Sequence, residues 1–180
     1  MFESMYAAHG VGLAAPQIGI SKRISVIDCS NGQNPAEKIV LINPEILKAE
    51  GRQVCEEGCL SVPGFREQVT RPRVVTVRAQ NEKGEWREMT GEDLLARAFQ
   101  HETDHLYGRL YITHVSALKR DLVKRKIKKR LGHAAPDYSI CWMGASLDVR
   151  ESLCLGRAAR ADRGQRRLSR GRHRSGLGHL

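Results

Sequence analysis

No run of about eighteen apolar residues occurs in the 180 residues, so the sequence holds no candidate for a membrane-spanning helix. The first residues lack the basic-then-apolar order of a secretory leader. The five cysteines (29, 55, 59, 141 and 154) are odd in number and lack the dense spacing of a disulfide framework. These absences point to a cytoplasmic protein whose thiols are free to bind metal. The glycine-rich stretch Gly10-Val11-Gly12-Leu13-Ala14-Ala15-Pro16-Gln17 lacks the Gly-Lys-Ser/Thr ending of a phosphate loop, which argues against nucleotide binding there. Lysine is missing altogether from residues 132–180, where the basic residues are nine arginines.

The net charge of +10 is therefore unevenly placed. Residues 1–118 carry 13 Lys+Arg against 15 Asp+Glu, a net −2. Residues 119–131 carry 8 against 1, and residues 132–180 carry 9 against 4. A nearly neutral body is thus followed by a basic end.

Against this background His101-Glu102-Thr103-Asp104-His105 stands out. Imidazoles four residues apart lie on one face of a helix, about one turn apart, and can hold one metal ion. The intervening Glu can reach a water on that ion, an arrangement suited to hydrolysis of a carbonyl compound. Thr90-Gly91-Glu92-Asp93 has capping-box spacing at the predicted start of the helix. Leu94, Leu95, Ala98, Phe99 and Leu106 recur at helical spacing, and Gly108 is placed as a C-terminal cap. Leu94, Ala98, His101 and His105 form one stripe, so the histidines continue the apolar face.

A third ligand has to come from elsewhere. Glu57-Gly58-Cys59-Leu60-Ser61 offers Cys59, since a thiolate suits zinc or ferrous iron. Cys55, four residues earlier, leaves a zinc knuckle conceivable, but no second pair matches it. Peptidases with H-E-x-x-H usually take a downstream Glu or His. Here His114 and Glu151 follow in no recognisable motif.

Taken together and in order, Gly10 to Gln17, Glu57 to Ser61 and Gln100 to Gly108 resemble the three motifs of the peptide deformylases. The resemblance runs from about Met1 to about Leu131. It implies an α+β fold with antiparallel sheets packed around a central metal-binding helix. It implies hydrolytic removal of the formyl group from the N-terminal formylmethionine of new polypeptides. Cys59, His101 and His105 would bind one divalent ion, iron (Fe2+) in the cell, with Zn2+, Ni2+ or Co2+ able to substitute. Glu102 would act as general base and then acid. Gln17 and the Leu60 N–H would polarise the formyl oxygen. Gly12 would pair with the substrate backbone, Val11 and Ala98 would line the methionine pocket, and Gly58 and Arg66 would lie near the substrate. For Gln17 and Gly12 the bland alternatives are turn residues.

The basic segment 119–131 reads as a helix, part of a basic helix over 116–131. Leu122-Val123, Ile127 and Leu131 give it a narrow apolar stripe. It is either a solvated surface helix or an electrostatic contact with ribosomal RNA or protein. The resemblance favours the ribosome, near the exit tunnel; no membrane or DNA partner is expected.

Short β-rich runs at 24–28 and 39–42 are separated by Asn31-Gly32, and Asn43-Pro44 is expected to end the second. Val69 to Ala79 and Trp86 to Met89 flank a hairpin turn at Asn81 to Gly84. Met1 to Ala8 reads as the end of a helix, and the family normally carries a further N-terminal segment before it. The domain assignment is a catalytic unit over 1–131 and an Arg-rich tail over 132–180, either disordered, and then able to bind RNA, or non-native from an out-of-frame reading. The alternatives to an active enzyme are an inactive ribosome- or RNA-binding remnant and an H-E-x-x-H metallopeptidase.

Overall fold

The computed structural model of the chain describes residues 1–131. Its elements are α1 (Phe2–Ala7), β1 (Gly12–Ala14), β2 (Ile24–Ile27), β3 (Ile39–Glu50), β4 (Gln53–Cys59), β5 (Val62–Arg71), β6 (Val74–Gln80), β7 (Trp86–Glu92), α2 (Asp93–Leu106) and α3 (Ala117–Leu131). All strand pairs are antiparallel: one sheet has the order β1-β2-β3-β6-β7, and β4-β5 form a separate hairpin. The α+β expectation holds. No described helix is long and apolar enough to cross a membrane.

Apolar residues of alternate sheet positions and one face of α2 make the main core. Ile27, Leu41, Val75, Val77 and Ala79 meet Ala96, Ala98 and Phe99. Removal of such side chains from water is the main stabilising term. A second cluster joins the hairpin to α3: Val62 and Val69 pack with Tyr111, Ile112, Val123 and Ile127. Of the apolar stripe expected on α3, Val123 and Ile127 are buried, whereas Leu122 stays 44% exposed. The basic side chains therefore line the outward faces of a docked helix.

Three local expectations are corrected. β3 does not end at Asn43-Pro44 but runs on to Glu50, with a break in register between Ile42 and Glu45. Asn43 takes φ 52° there and donates its N–H to Arg23 O at 2.8 Å, so Pro44, which has no N–H, sits where the ladder asks for none. The run Val69 to Ala79 is two strands in different sheets, divided at Pro72-Arg73. Thr90 caps nothing: its hydroxyl pairs with that of Thr76 across the ladder at 2.9 Å. The strand β7 feeds α2 directly, and no side chain caps the helix. The hairpin at Asn81 to Gly84 is present, with Asn81 Oδ1 accepting the N–H groups of Lys83 and Glu85. Gly108 is in the left-handed region at φ 71°, as a C-terminal cap requires.

The turn after β2 is organised by a carboxylate. Asp28 is buried and accepts hydrogen bonds from Tyr6 Oη, Ser30 Oγ and the N–H groups of Ser30 and Gly32. Burial pushes its pKa up, but these donors outweigh burial and bring it from 3.8 to about 2. A depressed carboxylate contributes stability above its unfolded pKa and loses it as pH falls through the folded value. Thermal melts of the wild type and Asp28→Asn should therefore differ most near neutrality and converge as pH falls from about 5 to about 2. A difference that is independent of pH would contradict this.

Candidate metal centre and substrate cleft

The turns on either side of the fold bring three distant segments together. Cys59 is the last residue of β4, and α2 presents His101 and His105 one turn apart. Their ligand atoms lie within 4.8 Å of one another, with Cys59 Sγ 3.2 Å from His105 Nε2. Burial pushes the Cys59 thiol up, yet His105 and His101 pull it well below its ordinary value, which favours the thiolate form that a metal takes. One thiolate and two imidazoles at this spacing fit a four-coordinate divalent ion with one position left open. Cys55 is exposed and stands apart from this group, so no zinc knuckle is formed among the described residues. His114 bonds Asp104 Oδ2 at 2.8 Å instead of joining the cluster.

Glu102 lies on the same helix, 4% exposed. Its Oε2 has no hydrogen-bond partner among the described residues. Burial raises its pKa against the opposing pull of His101 and His105. A buried carboxylate left partnerless, with its affinity for a proton increased, is what a general base requires. Gly12 explains itself here: a Cβ on it would overlap the Glu102 carboxylate, coming within 2.7 Å of Cδ. Its φ is not in the left-handed region, so it serves close approach and not a turn. Gly12→Ala should displace Glu102 and lower turnover by about 100-fold, read from initial rates against an unchanged far-UV spectrum. Near-wild-type turnover would show that Glu102 relaxes freely.

Gln17 is fixed at both ends. Its Oε1 accepts the Ala14 N–H at 2.8 Å, and Nε2 donates to Ser61 Oγ at 3.1 Å and faces Cys59 Sγ at 3.8 Å. Leu60 forms the turn after Cys59, and its side chain packs on the cluster of Met5, Leu13 and Val26. A cleft of about 490 Å³ lies along this assembly. Val11, Gly58, Arg66 and Ala98 line it, as do Gly12, Gln17, Cys59, Leu60, His101 and Glu102. Only His105 of the predicted site residues is behind the wall. Arg66 is largely exposed and pairs loosely with Glu56 at 3.8 Å.

Sequence reasoning missed the layer behind the ligands. Glu57 is buried and accepts two bonds from Arg71, at 2.7 and 3.1 Å, and one from Arg97 at 2.6 Å. Its other contact is His101 Nδ1 at 3.3 Å, which leaves Nε2 as the ring nitrogen for ligation. Burial pushes Glu57 up, but His101 and Arg71 outweigh it and hold its pKa at about 2. Arg71 also reaches Asp104 at 2.9 Å. Glu57 and Asp104 sit inside the motifs already noted, which was the available signal; Arg71 and Arg97 had none.

Comparison with known proteins agrees with the geometry. The family described as "Polypeptide deformylase" matches residues 1–121. A peptide deformylase of Acidobacterium capsulatum is 70% identical over 129 residues, covering 72% of this chain and 76% of the relative. One of Bartonella quintana is 50% identical over 131 residues, covering 72% and 74%. Among solved structures, a peptide deformylase of Legionella pneumophila superposes with a TM-score of 0.67 at 50% identity, covering 76% of this chain and 80% of its own. One of Synechococcus elongatus in complex with actinonin gives 0.63 at 42%, covering 70% and 68%.

Proposed function

Since the chain belongs to the peptide deformylase family, metal-dependent hydrolases that remove the N-terminal formyl group of polypeptides, we propose the following roles for its residues. Cys59, His101 and His105 hold one divalent ion. When bound, the ion supplies Lewis acidity, lowering the pKa of water to about 7 and polarising a carbonyl. Glu102 takes the proton of the attacking water. It then delivers that proton to the amine nitrogen as the C–N bond breaks, so that formate and a free amino terminus are the products. Its buried environment suits both halves of this transfer. Gln17 Nε2 and the Leu60 N–H are the donors for the oxygen that gains charge, and Gly12 pairs with the substrate backbone. Val11 and Ala98 border the side chain of the formylmethionine, with Gly58 and Arg66 farther along the cleft.

The observation that carries these roles is the partnerless Glu102 carboxylate, packed against a backbone with no Cβ, beside three converging ligand atoms. Formate release from formyl-Met-Ala-Ser by anaerobically purified protein tests them. Activity is expected with iron bound and should decline after aerobic purification, because a thiolate beside ferrous iron is open to oxidation. A metal-loaded protein that releases no formate would overturn the assignment.

The exposed basic faces of α3 fit a polyanion, and we place the ribosome there, near the exit tunnel, with the protein in the cytoplasm. Lys119 is partly occupied by Glu67 at 2.8 Å, while Lys124, Lys126 and Lys128 form no ion pair among the described residues. Replacing those three by glutamine should weaken co-sedimentation with ribosomes and flatten its salt dependence. Unchanged co-sedimentation at low salt would remove the ribosome as partner. Residues 1–131 are assigned as the catalytic unit; the tail assigned to 132–180 lies outside the described residues.

A further inference from the structure

The β4–β5 hairpin carries extra residues on one strand. Cys59 pairs with Val62 and the preceding Gly58 with Arg66, so Pro63-Gly64-Phe65 stand out of the ladder as a bulge. Gly64 takes φ 76° there, a conformation that glycine adopts without strain. Val62, Pro63, Gly64, Phe65 and Arg66 all border the cleft, so the bulge is one of its lips. Backbone groups lifted out of a ladder need partners from elsewhere. The Phe65 carbonyl accepts the phenol hydroxyl of Tyr111 at 3.0 Å.

Tyr111 opens the short 3-10 helix Tyr111–His114 that follows α2. It is 1% exposed, in a cluster with Val62, Val69, Val123 and Ile127. Its ring lies nearly parallel to that of His101, with centroids 6.5 Å apart and planes at 18°. One packed side chain thus connects the metal-binding helix to the cleft lip. None of the steps proposed above involves it. We propose, building on the roles given there, that Tyr111 is a positioning residue. Its hydroxyl fixes the lip relative to the metal centre for the part of the peptide beyond the formylated residue. That part is the one concerned because Gly58 and Arg66, which lie farther along the cleft, are the ladder pair next to the bulge. A lip held in place in advance spares the peptide the cost of ordering it.

The test compares formyl-methionine amide, which has no residue beyond the methionine, with formyl-Met-Ala-Ser, in the wild type and Tyr111→Phe. Phenylalanine keeps the ring beside His101 and removes only the hydroxyl. KM for the tripeptide should rise about fivefold. Its kcat, the metal content and both constants for the amide should stay within about twofold. Hydrogen exchange over residues 62–66 should quicken while that of α2 is unchanged. A merely structural role would instead lower turnover of both substrates alike. An equal loss for both, no loss for either, a loss confined to kcat, unchanged exchange of the lip, or a variant without a cooperative melt overturns the proposal. Failure of the underlying assignment looks different: no formate from either substrate in the wild type, or release that persists in Glu102→Gln.

Discussion

Glu102→Gln should lower formate release by about 100- to 10,000-fold while the protein keeps its metal and its melting temperature. The amide has nearly the same shape, so Gly12 and the helix face remain undisturbed. It cannot accept the proton of the attacking water at neutral pH, and it has none to return to the amine. Because the carboxylate makes no hydrogen bond through Oε2 among the described residues, its replacement breaks no network. Removal of a buried group whose affinity for a proton is raised by burial relieves a cost to the fold. The variant is thus expected to be as stable as the wild type, or more so. Metal content by elemental analysis, a thermal melt and initial rates together check this. Activity within about tenfold of wild type would remove Glu102 from the proton path.

The second large effect concerns stability. Glu57→Ala should cost about 3–5 kcal/mol, because it leaves two buried guanidinium groups facing a void. Arg71 is 3% exposed and Arg97 8%, and both point at the same carboxylate. The directions agree from both sides: Glu57 is held low, and Arg71 is held above its ordinary value despite burial. Desolvation opposes ionisation of each, so the intact cluster contributes little net stability, whereas breaking it is expensive. Out of a total of about 5–15 kcal/mol for a typical domain, such a loss is severe. The same change frees His101 Nδ1, and metal affinity should fall by about 10- to 100-fold. Urea denaturation and metal titration separate the two effects. A stability loss below about 1 kcal/mol would mean that water replaces the carboxylate without strain.

Legibility in the sequence followed range. His101, Glu102 and His105 were readable because helical period is a local property, and the same holds for the hairpin turn at Asn81 to Gly84 and for Gly108. Cys59 was readable through its motif, and its pairing with the histidines came from chemistry and not from position. The failures were local rules overridden by neighbours. Thr90 met Thr76 in the ladder before it could cap α2, and Pro44 found a bulge inside β3. Leu122 belongs to the apolar stripe read from the sequence but is 44% exposed, because the hairpin receives only the Val123 and Ile127 side of α3.

By itself the sequence pointed to the candidate ligands, the candidate base, the basic helix and the α+β class, through residue types, motifs and short spacings. Tertiary structure alone decided why Gly12 lacks a side chain, since the reason is a carboxylate 90 positions away. It also decided that Glu57 orients His101, which lies 44 positions away, and that Arg71 binds this ligand layer to Asp104, 33 positions on. Contacts of that range are made where β1 and the side chains of β4 and β5 meet residues of α2, and no local pattern carries them.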